Sequence, residues 1–171
     1  MKIVAMIPAR LGSKRLPKKN LEEFMGMTLI EWAIYRARKS GAFDEIWANS
    51  ESLVFRDIAQ TAGVFFHHRP EYLGSDQATS EDFVRDFLQK VDCDYVVQLH
   101  SVTPLLHHDE ISKFVLKLKL NSFDTLLSGV EENLEHVFEG KPVNFVWNEK
   151  SNSQDLKPVM KITWPITAWN R

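Results

Sequence analysis

Short apolar segments alternate with longer segments along the first 130 residues of the chain. Five short segments have the composition of strands: KIVAMI, DEIWANS, VFFHH, DYVVQL and FDTLLSGV. Four longer segments are predicted to be helices: TLIEWAIYRARKSG, SLVFRDIAQTAG, TSEDFVRDFLQKV and HDEISKFVLKLKLN. Because strands that alternate with crossover helices form a mostly parallel sheet, the sequence predicts an α/β fold.

The alternation fades after residue 131. The segment HVFEGKPVNFVWNEKSNSQDLKP mixes aromatic residues with glycine, proline, asparagine and serine, which predicts loops or a small antiparallel excursion. No internal repeat and no linker-like tract interrupts the sequence. We therefore interpret residues 1–171 as a single domain, with an irregular part at about residues 131–171.

The overall charge argues against one broad class of partner. The chain carries 21 Lys and Arg residues against 23 Asp and Glu residues, which gives a formal net charge of -2. A protein without excess positive charge has no wide field to hold a nucleic-acid backbone. We therefore expect no nucleic-acid partner.

The sequence also favours a cytoplasmic protein without a membrane partner. Cys93 is its single cysteine, which excludes an intrachain disulfide and a thiolate zinc site. The apolar run at the amino terminus is too short for a signal peptide, and nowhere do eighteen apolar residues follow one another.

A dense cluster of cations follows the first predicted strand. The stretch IPARLGSKRLPKKN, residues 7–20, contains five basic residues: Arg10, Lys14, Arg15, Lys18 and Lys19. In a parallel α/β sheet, ligands bind at the carboxyl ends of strands, and this loop begins at such an end. Gly12 and Ser13 permit a tight turn whose N–H groups point inward. Arg10, Lys14 and Lys19 can supply charge-assisted hydrogen bonds to phosphate.

This loop therefore predicts a triphosphate site, and the alternative is a solvated charged loop. Its spacing excludes two standard phosphate loops. Neither G-x-x-x-x-G-K-[ST] nor G-x-G-x-x-G is present, because Gly12 is the only glycine before Gly26. The interpretations as an ATPase or as a dinucleotide-dependent dehydrogenase thus lose their main support.

Two motifs carry a resemblance to a known family. The stretch IPARLGSKRLPKKNL resembles the signature loop of the sugar-nucleotide cytidylyltransferases, which include the acylneuraminate (CMP-sialic acid) and 3-deoxy-manno-octulosonate cytidylyltransferases. The stretch RPEYLGSDQATSEDF is similar to the family's R-P-x-x-L-x-x-D-x-A-x-S element. Within the family, the pair Lys19 and Asn20 favours the acylneuraminate branch.

The chain departs from the family pattern where the sugar is expected to lie. HSVTPLL stands where the family has Q-P-T-S-P-L-R, so that His100 replaces glutamine and Leu106 replaces arginine. NSE, which ends in Glu51, stands where the family has S-T-D. The resemblance therefore leaves the identity of the sugar open.

The resemblance implies a three-layer, Rossmann-like nucleotide-diphospho-sugar transferase fold and a nucleotidyltransferase reaction. In that reaction, CMP passes from CTP to the anomeric hydroxyl of a sialic-acid-like (nonulosonic or related 2-keto-3-deoxy) sugar acid, and pyrophosphate leaves. The implied catalytic residues are Arg10, Lys14 and Lys19. The implied nucleotide-binding residues are Ala9, Leu11, Gly12, Ser13, Asn20, Arg69 and Ser80. The implied sugar-binding residues are His100, Ser101 and Thr103.

Three of these residues also have a purely structural interpretation. Arg69 could pin a loop, Ser80 could cap the helix that follows it, and Asn20 could be a turn residue. At the level of function, the alternatives are a 3-deoxy-manno-octulosonate-type cytidylyltransferase and a degenerate, non-catalytic nucleotide-binding module.

The resemblance also implies Mg²⁺ as cofactor and a homodimer, with about residues 131–171 as the dimerisation and sugar-lid region. It identifies no metal ligand in this chain. The adjacent histidines 67–68 and 107–108 are not expected to bind one ion, because neighbours on a strand point to opposite faces. Trp147, Trp164 and Trp169 would suit an interface or a core.

Overall fold

The computed structural model describes residues 1–149 and 152–171 of the chain. These residues form two compact units, one of residues 1–126 with 165–171 and one of residues 127–164. The interpretation of residues 1–171 as a single domain stays a prediction. Within the described ranges, no helix has the length and apolar composition needed to cross a membrane. The cytoplasmic location also stays a prediction.

The secondary structure follows the predicted alternation as far as the seventh strand. The helices are α1 (Leu29–Ser40), α2 (Val54–Thr61), α3 (Ser80–Lys90) and α4 (His108–Leu120). The strands are β1 (Ile3–Pro8), β2 (Glu23–Phe24), β3 (Met27–Thr28), β4 (Glu45–Ser50), β5 (Phe65–His68), β6 (Tyr95–Leu99), β7 (Thr125–Glu132), β8 (Val137–Phe138), β9 (Lys141–Pro142) and β10 (Val159–Asn170).

Six of these strands form the central sheet, in the order β5-β4-β1-β6-β10-β7. Strand β1 is parallel to both of its neighbours, β4 and β6, and β4 is parallel to β5. Strand β10 runs antiparallel to β6. The prediction of an α/β fold with a mostly parallel sheet is therefore confirmed.

The core explains why β1 reads as an uninterrupted apolar run. Its residues alternate between two apolar clusters, with Ile3 and Ile7 in one and Val4 and Met6 in the other. The first cluster includes residues of α1, α2 and α4, and the second includes residues of α3. Because helices cover both faces of the sheet, every residue from Ile3 to Ile7 is fully buried.

Helix α3 begins one residue earlier than the capping interpretation of Ser80 requires. Thr79 is the N-cap, and its hydroxyl accepts from the backbone N–H of Asp82 while the Asp82 carboxylate accepts from the backbone N–H of Thr79. The interpretation of Ser80 as the helix cap is therefore wrong. Its hydroxyl instead lies 3.4 Å from Gln98 Nε2.

Strand β10 is the main element that the sequence did not predict. It contains Pro165, which has no N–H to donate and argues against a strand. The structure accommodates this residue, because the Pro165 carbonyl accepts from the backbone N–H of His100. The antiparallel pairing with β6 begins directly afterwards, at Ile166. The hairpin of β8 and β9 matches the predicted small antiparallel excursion.

Candidate functional site

The order of the sheet reverses between its two central strands. From β1 the chain continues outward to β4 and β5, and then returns to place β6 on the other side of β1. The carboxyl ends of β1 and β6 therefore border the crevice in which parallel α/β proteins bind ligands. The cation loop, residues 9–20, follows β1, and the β6 loop, residues 100–107, follows β6.

Arg10 and Lys14 of the cation loop converge on Asp76. Arg10 Nη1 donates to Asp76 Oδ1 at 2.8 Å, and Lys14 Nζ lies 2.6 Å from Oδ2. The hydrogen bonds from Lys14 and Arg10 hold the pKa of Asp76 below its usual value. Because exposed ion pairs are weak, a multiply charged anion can replace the carboxylate on these cations.

A pocket of about 230 Å³ adjoins the cation loop and the β6 loop. It is lined by eight of the predicted site residues: Ala9, Arg10, Ser13, Lys19, Asn20, Arg69, His100 and Ser101. The structure therefore brings predicted nucleotide-binding, catalytic and sugar-binding residues together in one place.

The other five predicted residues lie outside this pocket. Lys14 lines an adjoining cavity of the same loop. Leu11 and Gly12 line a third cavity, on which Arg69 also borders. Ser80 and Thr103 do not line any of these three cavities. Thr103 contacts the backbone of His100, and Ser80 is linked to His100 through Gln98.

Arg69 is a buried cation that joins the ends of two strands. Its Nη1 donates to Asn49 Oδ1 at 2.9 Å, and its Nη2 donates to the Ala9 carbonyl at 3.1 Å and to Glu51 Oε2 at 2.9 Å. The guanidinium also stacks over the ring of Phe83, 5.0 Å from its centroid. Burial lowers the pKa of Arg69, and the hydrogen bond to Glu51 opposes this effect. Arg69 therefore pins the cation loop and also faces the pocket.

Asn20 links the cation loop to the β6 loop. Its Nδ2 donates to the Arg10 carbonyl at 2.9 Å, and its Oδ1 accepts from Ser101 Oγ at 2.6 Å. Both side chains are almost completely buried, at 5% exposure for Asn20 and 2% for Ser101. Asn20 is therefore more than a turn residue, because it fixes the distance between the two loops. Its role in reading cytosine stays a prediction.

His100 lies at the start of the β6 loop and is held by Gln98. Gln98 Nε2 lies 2.7 Å from His100 Nε2 and 3.4 Å from Ser80 Oγ. Burial, followed by the charge of Lys19, lowers the pKa of His100. The ring is thus neutral at pH 7. If Nε2 accepts from the amide of Gln98, the ring hydrogen is on Nδ1, where it can donate to a ligand.

Arg36 of α1 holds the far end of the β6 loop. This buried side chain donates to the carbonyl of Trp32 in its own helix at 3.1 Å, to the carbonyl of Thr103, and to the carbonyl of Leu106 at 3.5 Å. Burial lowers the pKa of Arg36. Thr103 Oγ1 donates to the His100 carbonyl at 3.0 Å. Arg36 and Thr103 therefore shape the loop from which His100 projects.

Four residues of this network were not among the predicted site residues. Asn49, Glu51 and Gln98 had a signal in the sequence, because each is a polar residue within or directly after a strand of apolar character. Arg36 had none, because a cation in an amphipathic helix usually faces water. Its burial depends on carbonyl groups that lie 67 and 70 residues further along the chain.

The carboxylates beside the cation loop do not fit a metal site of their own. Asp76 is engaged by Arg10 and Lys14. Glu51 is engaged by Arg69 through Oε2 and by the backbone N–H of Leu11 through Oε1. Both carboxylates are thus paired within the protein, and no group of three possible metal ligands forms around them among the described residues. The Mg²⁺ requirement stays a prediction.

The histidine pairs behave differently from each other. His67 is buried and His68 is exposed, which confirms that this pair points to opposite faces of β5. The strand geometry does not apply to His107 and His108, because His107 is the N-cap of α4 and His108 is its first residue. Their ligand atoms and those of Asp109 lie within 4.8 Å of one another. This group lies outside the pocket of the two loops.

The sheet and its switch point define an α/β protein of the type that binds ligands at the carboxyl ends of its strands. A family model described as cytidylyltransferase matches residues 4–159. The chain is 33% identical to an N-acylneuraminate cytidylyltransferase of Streptococcus agalactiae over 169 residues, and 31% identical to a pseudaminic acid cytidylyltransferase of Campylobacter jejuni over 169 residues. The chain therefore belongs to the cytidylyltransferase family.

The extent of these matches differs between relatives. The alignment covers 93% of this chain and 41% of the S. agalactiae protein, and 91% of this chain and 73% of the C. jejuni protein. An N-acylneuraminate cytidylyltransferase A of Danio rerio is 28% identical, over 90% of this chain and 34% of that protein. The chain thus spans about a third to two fifths of the N-acylneuraminate cytidylyltransferases.

Solved structures support the assignment of the fold. A CMP:2-keto-3-deoxy-manno-octonic acid synthetase complexed with CTP superposes with a TM-score of 0.78 at 18% identity, over 99% of this chain and 74% of that one. A 4-diphosphocytidyl-2C-methyl-D-erythritol synthase of Anaerococcus prevotii gives a TM-score of 0.66 at 14% identity, over 99% and 71%. The Rossmann-like nucleotidyltransferase fold is therefore confirmed.

His67 supports the site from the side of β5 and must stay neutral to do so. Asn49 Oδ1 is occupied by Arg69, so Asn49 Nδ2 donates to His67 Nδ1 at 2.8 Å. His67 Nε2 lies 3.5 Å from an oxygen of Asp86. Burial, followed by the charge of Lys90, lowers the pKa of His67 from 6.5 to about 4.

Because of this histidine, we expect the free energy of unfolding to decrease as the pH is lowered. Above pH 6.5 the ring is neutral in both the folded and the unfolded chain. As pH falls from 6.5 towards 4, only the unfolded chain takes up the proton, so the free energy of unfolding decreases by up to about 3 kcal/mol. Urea unfolding at pH 7, 6 and 5 measures this slope. His67→Gln should flatten it.

The matched control is His68→Gln at the exposed neighbouring position, which should keep the slope of the unchanged protein. Equal slopes for His67→Gln and the unchanged protein would contradict the buried neutral state of His67.

Proposed function

We propose that this chain transfers CMP from CTP to the anomeric hydroxyl of a sialic-acid-like sugar acid, a nonulosonic or related 2-keto-3-deoxy acid, and releases pyrophosphate. The observation that carries the proposal is the cluster of Arg10, Lys14 and Lys19 at the carboxyl end of β1, beside the loop that holds His100. The relatives named for N-acylneuraminate and pseudaminic acid support a sugar acid as the acceptor.

In the proposed reaction, the anomeric hydroxyl gives its proton to water and its oxygen attacks the α-phosphorus of CTP. The bond between that phosphorus and the oxygen that bridges it to the β-phosphorus breaks, and pyrophosphate leaves with this oxygen. Phosphoryl transfer depends chiefly on positioning and on neutralising the charge of the transferred and leaving groups. Arg10 and Lys14 exchange Asp76 for oxygens of the triphosphate, and Lys19 reaches the same anion from the other end of the cation loop. The backbone N–H groups of Gly12 and Ser13 complete this cradle.

The nucleoside is proposed to lie where Ala9, Asn20 and Arg69 border the pocket, with the Ser80 hydroxyl as a further polar contact. The sugar acid is proposed to lie against the β6 loop. There a neutral His100 donates from Nδ1 to a hydroxyl or carboxylate of the sugar, while Ser101 and Thr103 hold the loop in shape.

Mg²⁺ remains part of the proposal without assigned protein ligands. When bound, the ion would neutralise charge on the phosphates. No step of the proposed reaction is assigned to a metal, because Glu51 stays engaged by Arg69 and Leu11, and the described residues group no further ligands around the Asp76 carboxylate that the triphosphate would release.

Replacement of Lys19 tests the reaction. With CTP, a panel of nonulosonic and octulosonic acids and Mg²⁺, the unchanged protein should release pyrophosphate. Lys19→Ala should lower kcat/KM for CTP by about 10²-fold, because one preorganised charge on the leaving group is lost. The matched control is Lys39→Ala in the exposed last turn of α1, which should retain activity.

Binding and activity measurements on the unchanged protein also distinguish between the alternative functions. CTP binding by calorimetry without pyrophosphate release from any sugar acid would favour a non-catalytic nucleotide-binding module. Release with octulosonic acid alone would favour that substrate over nonulosonic acids. ATP and GTP binding as tight as CTP binding would contradict cytosine readout at Asn20 and Ser80.

Replacement of His100 tests its role in sugar choice. His100→Gln removes the ring donor and should change the ratio of KM values across the sugar panel by about tenfold, because one hydrogen bond to the substrate is lost. KM for CTP should stay unchanged. His108→Gln, outside the pocket, is the control, and an unchanged sugar preference of His100→Gln would contradict the assignment.

We also propose that the chain forms a homodimer through residues 127–164. This unit exposes large apolar side chains, among them Leu134 at 62%, Phe138 at 70%, Trp147 at 55% and Trp164 at 52%. Apolar surface of this kind on a soluble unit favours a protein partner. Trp169, by contrast, packs against the apolar cluster of α3.

Sedimentation equilibrium tests the dimer. The unchanged protein should sediment as a dimer, and Trp147→Asp or Phe138→Asp should shift it towards monomer, because each places a charge in an apolar interface. Leu120→Asp, at an exposed apolar position of the other unit, is the matched control. A monomer for the unchanged protein at micromolar concentration would contradict the proposal.

A further inference from the structure

Glu51 follows β4 and contacts the cation loop without belonging to it. Its Oε1 accepts from the backbone N–H of Leu11 at 2.9 Å, and its Oε2 accepts from Arg69 Nη2 at 2.9 Å. Only 12% of its side chain is exposed. Each carboxylate oxygen thus has a separate partner, and the two partners lie on different loops.

Gly74 encloses the same carboxylate from a third side. A Cβ atom at this position would lie 2.6 Å from Cδ, 2.7 Å from Cγ and 2.8 Å from Oε2 of Glu51. These distances are too short for real contacts, so any side chain at position 74 would displace the carboxylate. The glycine is required for space, because its φ is not in the left-handed region.

The three contacts join the segments that form the cradle. Leu11 lies in the cation loop, Arg69 follows β5, and Gly74 directly precedes the segment that carries Asp76. Gly74 also accepts from Arg10 Nη1 through its carbonyl at 3.5 Å. The position of Glu51 therefore determines how the backbone of the cation loop is placed relative to the segment that carries its counter-ion.

We infer that Glu51 is a positioning residue for the triphosphate, which it serves through the Leu11 backbone, Arg69 and Gly74 without touching the nucleotide. This inference rests on the proposed binding of CTP. The family motif that the chain resembles leaves position 74 open, so the motif itself does not account for the fit between Glu51 and Gly74.

Whether removal of Glu51 strengthens or weakens CTP binding distinguishes a positioning role from simple electrostatic repulsion. A carboxylate near a triphosphate repels it, so removal of Glu51 for electrostatic reasons alone would strengthen CTP binding. A positioning role predicts the opposite. Glu51→Ala should weaken CTP binding about tenfold, because the hydrogen bonds to Leu11 and Arg69 are lost.

Gly74→Ala provides a variant that keeps the charge. Its methyl group should displace Glu51 and weaken CTP binding by a similar factor. In the Glu51→Ala background the same methyl group has no carboxylate to displace, so Gly74→Ala should then change the affinity by less than about twofold. Glu71→Gln, which removes an exposed carboxylate of the same loop, is the control and should leave the affinity unchanged.

The experiment is calorimetry with CTP and with inorganic pyrophosphate, together with thermal unfolding and KM for CTP and for the sugar acid. A merely structural role would lower the melting temperature and the active fraction while leaving both KM values unchanged. The inference predicts a rise in KM for CTP alone. If Glu51→Ala does not fold, Glu51→Gln tests the role without the paired substitution: its amide nitrogen cannot accept a hydrogen bond, so one of the contacts to Leu11 and Arg69 is lost and CTP binding should still weaken.

Two outcomes separate the inference from the proposed function. If the unchanged protein binds CTP and releases pyrophosphate, but Glu51→Ala binds CTP equally or more tightly, or the effects of the two substitutions simply add, the positioning role is overturned and the function stands. If the unchanged protein binds no CTP, both are overturned.

Discussion

The site depends on one buried guanidinium. Arg69 lies at 3% exposure, and burying a cation of this kind costs several kcal/mol unless its donors are satisfied. Here Nη1 and Nη2 donate to a carbonyl at the end of β1, an amide at the end of β4 and the carboxylate of Glu51, whereas the buried Nε has no hydrogen-bond partner. Because the Arg69 guanidinium joins the ends of β1 and β4, it fixes the position at which the cation loop leaves the sheet.

The predictable part of the fold is the part in which local pattern and tertiary contacts agree. Strand β1 is apolar at every position because helices cover both faces, and α1 carries a capping box between Thr28 and Glu31. Strand β10 was not predictable, because Pro165 breaks the pattern and the pairing partner is β6, far away in sequence. The choice of Thr79 over Ser80 as cap depends on backbone angles that either residue could adopt.

The candidate site was likewise predictable only in part. Its cations were evident, because they are crowded into one loop that follows a buried strand. Its internal connections were not, because they join residues distant in sequence. Asn20 and Ser101 are separated by 81 residues, and Arg36 reaches the β6 loop across 67. Sequence motifs therefore predicted side chains that the fold brings to one pocket, and only the fold showed which other side chains hold them in place.

The ion pairs of Asp76 with Arg10 and Lys14 affect which anions can bind to the cation loop. Arg10 and Lys14 already have a carboxylate partner, so a single small anion that binds there exchanges one oxyanion for another and gains little. Under the proposed function, a chain of linked phosphates would replace the carboxylate and also reach Lys19 in the same event. The Asp76 carboxylate would thus compete well with inorganic phosphate or sulfate and poorly with a triphosphate, so that the loop would discriminate by the number of charges presented together.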